Sequence, residues 1–321
     1  MSRIFVATAA VNTEHSPFEL SDYLRVLRAA EHDVIKKHVC VTDPDDADFI
    51  LFVGSRYQYH FDVLSSQIYQ AYRDRCFIFD NKDNPIPSLP GVYMGIPNYL
   101  QKCPAYRHGF YLRTFDNGVL RDCTSFDECK YLFSFVGAVA NSPSVRREVL
   151  SLESKDGFVK DSSSHQCDVD GTYAKLLAES KFVICPRGKG PSTWRVFEAM
   201  RSGRSPVIVS DEWVPPIGPR WLDFAVFVRE CDVPQIPDRL RSLEHAAEEM
   251  GRTAYDEWSR NFSLSRAFNW IGDTLESIEQ SRSSWRTTVK RSRLLEAVSR
   301  RIHGRQYLKE YVRQLLFPNG R

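Results

Sequence analysis

The chain has 321 residues, of which 42% are hydrophobic and 26% are charged, and its formal net charge is +2. This composition is typical of a globular protein of about two domains and excludes a disordered chain. No apolar run approaches the ~20 residues of a membrane-spanning helix. The eight cysteines are scattered without a Cys-x-x-Cys pair, so we expect reduced cysteines in the cytosol rather than a zinc centre or a disulfide framework.

The first part of the chain alternates between strand-like and helix-like patterns. Apolar runs predict buried strands at Ile4 to Ala9, Phe49 to Val53 and Cys76 to Phe79, and the first of these fits a buried strand better than a signal peptide. Helical spacing occurs at Phe18 to Ala30 and Phe61 to Tyr72. Five prolines between residues 85 and 104 then predict loops.

A second set of elements begins at Tyr131. Strands are predicted at Tyr131 to Gly137, Gly157 to Lys160, Phe182 to Cys185, Pro206 to Val209 and Phe224 to Val228, and helices from Pro143 through Leu150, at Ile236 to Met250 and at Thr253 to Gln280. The alternation predicts an α/β protein with two Rossmann-like domains facing each other across a cleft. We place them at residues 1–130 and 131–280, followed by a tail at 281–321.

The most informative stretch joins two of these strands. Phe182 to Cys185 runs into the basic turn Arg187-Gly188-Lys189-Gly190-Pro191, a helix is predicted from Ser192 to Ser202, and Gly203 can end it. In a βαβ unit, anionic groups bind at the carboxyl end of the first strand, where glycines and the N–H groups of the next helix approach them. Arg187 and Lys189 add full positive charges there.

Three better-known anion-binding loops do not fit this spacing. A Walker A loop needs Gly-Lys-Ser/Thr, but the chain has Gly188-Lys189-Gly190. A dinucleotide fingerprint would require a third glycine at position 193, which is Thr193. A cysteine phosphatase loop would need an arginine six residues after Cys185, where Pro191 stands. A dehydrogenase is therefore disfavoured.

The predicted helix carries Arg195 and Glu198, which are neighbours on one helical face. A guanidinium there can bind a diphosphate through two hydrogen bonds, while a carboxylate can accept from both hydroxyls of a ribose. The alternative for this pair is a surface ion pair. For Arg187 and Lys189 the alternative is solvated loop charges, although a cation at a helix N-terminus is unfavourable without an anion. Asp211 can be a simple turn residue.

This constellation resembles the exostosin-like glycosyltransferases. Their hallmark corresponds here to Cys185-Pro186, Gly188, Ser192, Arg195, Glu198, Gly203, Pro206-Val207-Ile208 and Ser210-Asp211. Weaker echoes are Tyr131 to Gly137, followed by Arg146, and Asp46 to Gly54. The chain departs from the family pattern at Arg204-Ser205, where a Cys-Ile pair is usual.

The resemblance implies the two-domain GT-B fold and an inverting transfer of a sugar from a nucleotide-diphosphate donor, which we expect to be a UDP-sugar, to a hydroxyl of a glycan or lipid-linked glycan. The expected donor-binding residues are Arg146, Arg187, Gly188, Lys189, Ser192, Arg195, Glu198, Ser210 and Asp211. For Arg146 the alternative is an ion pair with Glu148 or Glu153. Because these cations and the N–H groups of the turn can neutralise a diphosphate, we expect no metal cofactor.

An inverting transfer also needs a general base for the acceptor hydroxyl. We expect it in the first domain, at the carboxyl end of a strand, where the candidates are Glu14, His15, Asp80 and Asp83. The alternative function is a non-catalytic module that binds a nucleotide sugar or phosphate and docks on a membrane or a protein partner. Such a module would keep Arg195 and Glu198 but lack a functional base.

The tail has its own charge. Residues 281–321 hold eleven Lys or Arg and two Glu, a net charge of +9, whereas residues 1–280 carry −7. Apolar residues at helical spacing accompany these charges, which predicts a basic amphipathic helix that binds an anionic membrane surface. The alternative is a helix packed on the body of the protein. We expect a cytoplasmic protein that associates peripherally with the membrane and has no nucleic-acid partner.

Overall fold

We describe a computed structural model of the chain. It describes residues 1–9, 17–54, 62–118, 120, 125–152, 155–163 and 172–282, apart from residues 65, 84, 86, 88, 97–99 and 101. Two parallel sheets organise these residues. The strands of the first sheet are β1 (Arg3–Ala7), β2 (Val39–Val41), β3 (Phe49–Gly54), β4 (Cys76–Asp80), β5 (Gly91–Tyr93) and β6 (Tyr106–His108), in the order β2-β1-β3-β4-β5-β6.

The second sheet has the same character. Its strands are β7 (Tyr131–Gly137), β8 (Gly157–Asp161), β9 (Ser180–Pro186), β10 (Ser205–Val209) and β11 (Val226–Val228), in the order β11-β10-β9-β7-β8. All neighbouring strands run parallel in both sheets. The predicted fold class, an α/β protein with two Rossmann-like units, is therefore confirmed.

Helices flank the sheets. They are α1 (Pro17–His32), α2 (Gln67–Ala71), α3 (Pro143–Leu150), α4 (Thr172–Ala178), α5 (Arg195–Arg201), α6 (Ile236–Leu243), α7 (Ala247–Asn261) and α8 (Ala267–Gln280). Pro143 opens α3, where a missing N–H costs nothing. Gly203 ends α5 with a φ of 69°, a backbone conformation that favours glycine, as the sequence predicted. Among the helices described, none has the length and apolarity needed to cross a membrane.

The strands are apolar because both faces of a parallel sheet are covered. Every residue of β3 and β4 is buried. Since the strands are parallel, their carboxyl ends share one edge of each sheet. The loop after β4 meets the turn after β9: a Cβ on Gly190 would overlap the carbonyl oxygen of Asp83. The two sheet edges that carry the predicted residues therefore come together.

Several elements differ from their predictions. The short strand β5 lies within the proline-rich stretch, between Pro90 and Pro97, and β6 follows its last proline, Pro104; neither strand contains a proline. The long helix predicted from Thr253 to Gln280 is two helices separated at residues 262–266. In the range of the predicted helix from Phe61 to Tyr72, the structure describes the helix Gln67–Ala71. Helix α5 begins at Arg195, three residues later than predicted.

An aromatic cluster joins the two halves. The Phe110 ring, just after β6, lies 6.4 Å from Phe197 of α5 and 5.2 Å from Trp270 of α8, measured between centroids. Helix α8 contacts α1, β5 and β6, and Gly272 leaves room for the buried His38 ring. We predicted α8 as part of the second domain, but it packs on the first sheet. Residues 283–321, which hold most of the predicted tail, lie outside the described residues.

Candidate active site

The turn after β9 uses some of its own amides. The N–H of Arg187 donates to the Val209 carbonyl at 3.1 Å, and the N–H of Gly188 donates to the Ser192 carbonyl at 3.1 Å. The sequence analysis had assigned the N–H groups of the turn to an anion, and these two are instead engaged within the protein. The preceding Cys185 is buried, and burial raises the pKa of its thiol well above the ordinary value, so this cysteine is no nucleophile at neutral pH.

Arg195 is buried, and most of its side-chain N–H groups have no hydrogen-bond partner among the described residues. Its side chain reaches back to β7, where Nη2 donates to the Val136 carbonyl at 2.6 Å. The guanidinium carbon lies 4.9 Å from the ring centroid of Phe135 and 5.4 Å from that of Tyr173. Nε and Nη1 are buried and have no hydrogen-bond partner in the described part of the chain. Buried donors normally have partners, so these two nitrogens are available to a ligand.

Glu198 is equally buried, and each of its carboxylate oxygens accepts one hydrogen bond. Oε1 accepts from the amide of Asn117 at 2.8 Å, and Oε2 accepts from the hydroxyl of Tyr173 at 2.6 Å. Within the described ranges Glu198 forms no ion pair with Arg195, so the alternative of a surface ion pair does not apply. Each carboxylate oxygen keeps a second lone pair, and the predicted ribose contact stays a prediction.

Arg146 lies at the same edge. Nη1 donates to the Ala138 carbonyl at 2.8 Å and Nε donates to the Arg187 carbonyl at 3.2 Å. No carboxylate of the described residues forms an ion pair with it, Glu148 included, while Glu153 lies outside them. Burial, followed by the charge of Arg195, lowers the pKa of Arg146 to about 10, and the charge of Asp83 acts in the opposite direction. Two guanidiniums are thus held within electrostatic reach of each other.

The other basic residues of the turn differ from this pair. Arg187 forms a two-point ion pair with Glu230, with Nε–Oε1 at 2.6 Å and Nη2–Oε2 at 3.3 Å. Its charge is therefore already balanced. Lys189 is exposed at the tip of the turn. Asp211 accepts from the backbone N–H of Glu230 at 2.9 Å, which agrees with the structural alternative for that residue and gives no sign of a ligand contact.

The two serines of the predicted site lie near the turn. Ser192 is buried. The Ser210 hydroxyl is also buried and has no hydrogen-bond partner within the described ranges. Gly188 leaves its Cβ direction nearly open, since a methyl group there would meet only the Ser192 carbonyl at 3.4 Å.

Of the four candidate bases, two are described. Asp80, at the end of β4, is completely buried, and Oδ2 lies 3.5 Å from the ammonium of Lys82. Asp83 lies beside Gly190, and its Oδ1 accepts from the Tyr111 hydroxyl at 3.2 Å. Asp83 is therefore the described candidate that the fold brings to the turn. Glu14 and His15 lie outside the described residues.

Sequence reasoning missed the residues that hold this site together: Asn117, Phe135, Tyr173 and Glu230. Phe135 belongs to the Tyr131–Gly137 segment that resembles the family pattern, so that resemblance could have identified it. Tyr173 and Asn117 contact Glu198 from 25 and 81 residues away. Such long-range contacts leave no spacing pattern in a single sequence.

Comparison with known proteins places the motif in a family. Residues 118–243 match the exostosin GT47 domain. An exostosin-1 homolog of Caenorhabditis elegans is 35% identical over 98 residues, which are 29% of this chain and 26% of that protein. A probable glucuronosyltransferase of Oryza sativa subsp. japonica is 39% identical over 74 residues, 22% of this chain and 18% of that protein. The chain thus spans about a quarter or less of the length of these relatives.

Solved structures are more distant. A glycosyltransferase from Rickettsia africae is 12% identical with a TM-score of 0.43, over 86% of this chain and 98% of that one. The resemblance to the exostosin-like glycosyltransferases therefore depends on the match to the family domain and on the ordered motif inside it. The predicted resemblance to the exostosin-like glycosyltransferases is confirmed by the match of residues 118–243 to the exostosin GT47 domain.

Proposed function

We propose that the chain is a glycosyltransferase that takes a sugar from a nucleoside-diphosphate donor, expected to be a UDP-sugar, and transfers it with inversion to a hydroxyl of a glycan or lipid-linked glycan. One observation carries the donor assignment: Arg195 is buried with Nε and Nη1 open, next to a second buried guanidinium, Arg146, that has no carboxylate partner within the described ranges. Buried like charges repel, and an anion between them offsets this cost.

A diphosphate fits this pair by charge and shape. Guanidinium groups bind phosphate oxygens through paired hydrogen bonds. Lys189 is exposed at the turn and can approach the same anion, whereas Arg187 contributes less because Glu230 balances it. We propose that these cations neutralise the leaving diphosphate without a metal ion. A transfer assay with a chelator tests this: activity that needs added divalent ions would contradict it.

The remaining groups have separate roles. Glu198 would accept from the ribose hydroxyls through its free lone pairs. Asp83 would take the proton from the acceptor hydroxyl. The hydroxyl oxygen attacks the anomeric carbon of the donor sugar, and the bond from that carbon to the diphosphate breaks. Tyr111 donates to Asp83 and orients the carboxylate.

The non-catalytic alternative has one observation in its favour. Both described candidate bases are already engaged, Asp80 by Lys82 and Asp83 by Tyr111. A binding module would tolerate this arrangement, whereas a transferase needs one base with a free lone pair facing the acceptor. Asp83→Asn separates the two functions, since it should abolish transfer and leave donor binding intact.

The test of the donor site is calorimetry with nucleoside diphosphates, with release of nucleotide from a panel of nucleotide sugars as the catalytic measurement. Because a hydrogen bond to a charged group contributes about 1.5–3 kcal/mol, Arg195→Ala should weaken binding roughly tenfold to a hundredfold. Arg252→Ala is the control, since Arg252 is exposed and forms a surface ion pair with Glu249. Equal affinity of both variants for every nucleotide would refute the assignment.

The basic tail bears on where the protein acts in the cell. We propose that residues 283–321 bring a cytoplasmic enzyme to an anionic membrane, since each basic residue near such a surface contributes about 1 kcal/mol. Truncation after Arg282 keeps the contact between Arg282 and Glu279. It should abolish sedimentation with anionic vesicles and leave the melting temperature nearly unchanged. A large loss of stability would favour a tail packed on the body.

A further inference from the structure

Tyr173 contacts both main residues of the proposed donor site although it lies outside the family motif. It belongs to α4, the helix before β9. Its hydroxyl donates to Glu198 Oε2 at 2.6 Å, and its ring centroid lies 5.4 Å from the guanidinium carbon of Arg195. One side chain therefore bears on the carboxylate and on the cation.

The direction of the hydrogen bond is fixed. Burial, and then the charge of Glu198, raise the pKa of the Tyr173 hydroxyl well above its ordinary value. The phenol stays protonated at any physiological pH, so Tyr173 donates and Glu198 accepts. With Asn117 donating to the other oxygen at 2.8 Å, the carboxylate is held at both ends. Its remaining lone pairs then have a fixed direction.

The ring acts on the second residue. Arg195 lies within cation–π distance of Phe135 and Tyr173. Aromatic faces attract the charge but provide no acceptor for the in-plane N–H groups. The rings therefore hold the guanidinium in place while Nε and Nη1 stay open.

We infer that Tyr173 is a positioning residue of the donor site: its hydroxyl aims Glu198 at the ribose hydroxyls, and its ring holds Arg195 at the diphosphate. The inference rests on the proposed function. It assigns the selection of a ribose-bearing donor to the Tyr173–Glu198 pair and separates that selection from phosphate binding.

The separation can be measured with two probes, UDP and 2′,3′-dideoxy-UDP. Loss of one hydrogen bond to a charged group changes affinity by about tenfold or more, so Tyr173→Phe should lower the preference for UDP about tenfold while affinity for the dideoxy probe stays unchanged. Tyr173→Leu also removes the ring and should weaken both probes. Tyr131→Phe is the matched control, because its ring packs on Phe158 and its hydroxyl has no hydrogen bond in the described part of the chain.

A second variant separates positioning from a purely structural role. In a Glu198→Gln background, Tyr173→Phe should have no further effect on the preference, since both changes break the same link. Additive losses, or equal weakening of both probes by Tyr173→Phe, would overturn the inference. A wild-type protein that binds neither probe would overturn the proposed function itself. Preference for UDP that survives Tyr173→Phe would overturn this inference alone.

Discussion

Two buried arginines nine residues apart are treated oppositely by the fold. Arg204 is 1% exposed, and its three guanidinium nitrogens donate to backbone carbonyls, namely Ala178, Gly203 and Ser125. Arg195 is 6% exposed, and toward the residues that the structure describes only Nη2 donates. A buried cation whose donors are all satisfied by the protein serves the architecture, whereas one whose donors stay open in the described part of the chain is available to a ligand.

The comparison also explains a departure from the family pattern. The family pattern usually has a Cys-Ile pair where this chain has Arg204-Ser205. The Arg204 side chain links the turn after α5 to the end of α4, through the Ala178 carbonyl, and to the Ser125 carbonyl. Arg204 lies over the Phe126 ring at 5.7 Å. The departure therefore concerns the packing beneath the site rather than the ligand.

The largest expected effect comes from removing the satisfied arginine. Arg204→Met leaves three carbonyls without their charged donor, and each hydrogen bond to a charged group contributes about 1.5–3 kcal/mol. We expect a loss of at least about 3 kcal/mol in the free energy of unfolding, measured by urea denaturation. Arg252→Met, on the surface, is the control. A loss below about 1 kcal/mol would show that the carbonyls find other donors.

A third buried base extends the comparison, because it can release its proton. His108, at the end of β6, is buried with neither ring nitrogen hydrogen-bonded within the described ranges, and burial lowers its pKa to about 4. The unfolded chain takes up a proton near pH 6.5, where the folded protein does not. The contribution of His108 to the free energy of unfolding is therefore at its maximum above pH 6.5. It decreases as the pH drops from 6.5 to about 4 and does not decrease further below that.

Replacing this histidine should remove that pH dependence. At about 1.4 kcal/mol per pKa unit, the wild type should lose up to about 3 kcal/mol between pH 7 and 4 through His108 alone. His108→Gln should lose correspondingly less over the same interval. Urea denaturation at several pH values measures the difference, and parallel curves for the two proteins would contradict the assignment. An arginine does not lose its proton near neutral pH. The N–H groups of Arg195 that have no partner among the described residues therefore stay on a positively charged side chain, which favours an anion as their ligand.

Sequence reasoning reached the parts of this comparison that depend on local pattern. The strand, the glycine turn, Arg195 and Glu198 followed from spacing within about twenty residues. The balance of Arg187 by Glu230, 43 residues away, and the contact of Asn117 with Glu198 did not. Strands β5 and β6 were missed because strands of three residues, in or next to a proline-rich stretch, carry too little periodicity. Open donors on one arginine and closed ones on another are properties of tertiary packing alone.

Arg146 is intermediate, since two of its nitrogens donate and its pKa falls to about 10. Arg146→Lys keeps a charge but loses the planar fork. We expect donor affinity to fall about tenfold, near 1.4 kcal/mol, and further in Arg146→Ala. Calorimetry with UDP measures both variants. Affinity and turnover that survive both changes would make Arg146 a structural residue like Arg204.

The smallest expected effect is the most discriminating. Arg195→Met removes one hydrogen bond to Val136 and two buried nitrogens that have no partner among the described residues. The lost bond and the relieved desolvation oppose each other, so the free energy of unfolding should change by less than about 1 kcal/mol. Ligand at a hundred times its Kd stabilises a folded protein by about 2.7 kcal/mol. That stabilisation by UDP should appear in the wild type at a fixed UDP concentration and be largely lost in Arg195→Met. A loss of stability comparable to that of Arg204→Met, without any change in UDP protection, would mean that both arginines serve the fold.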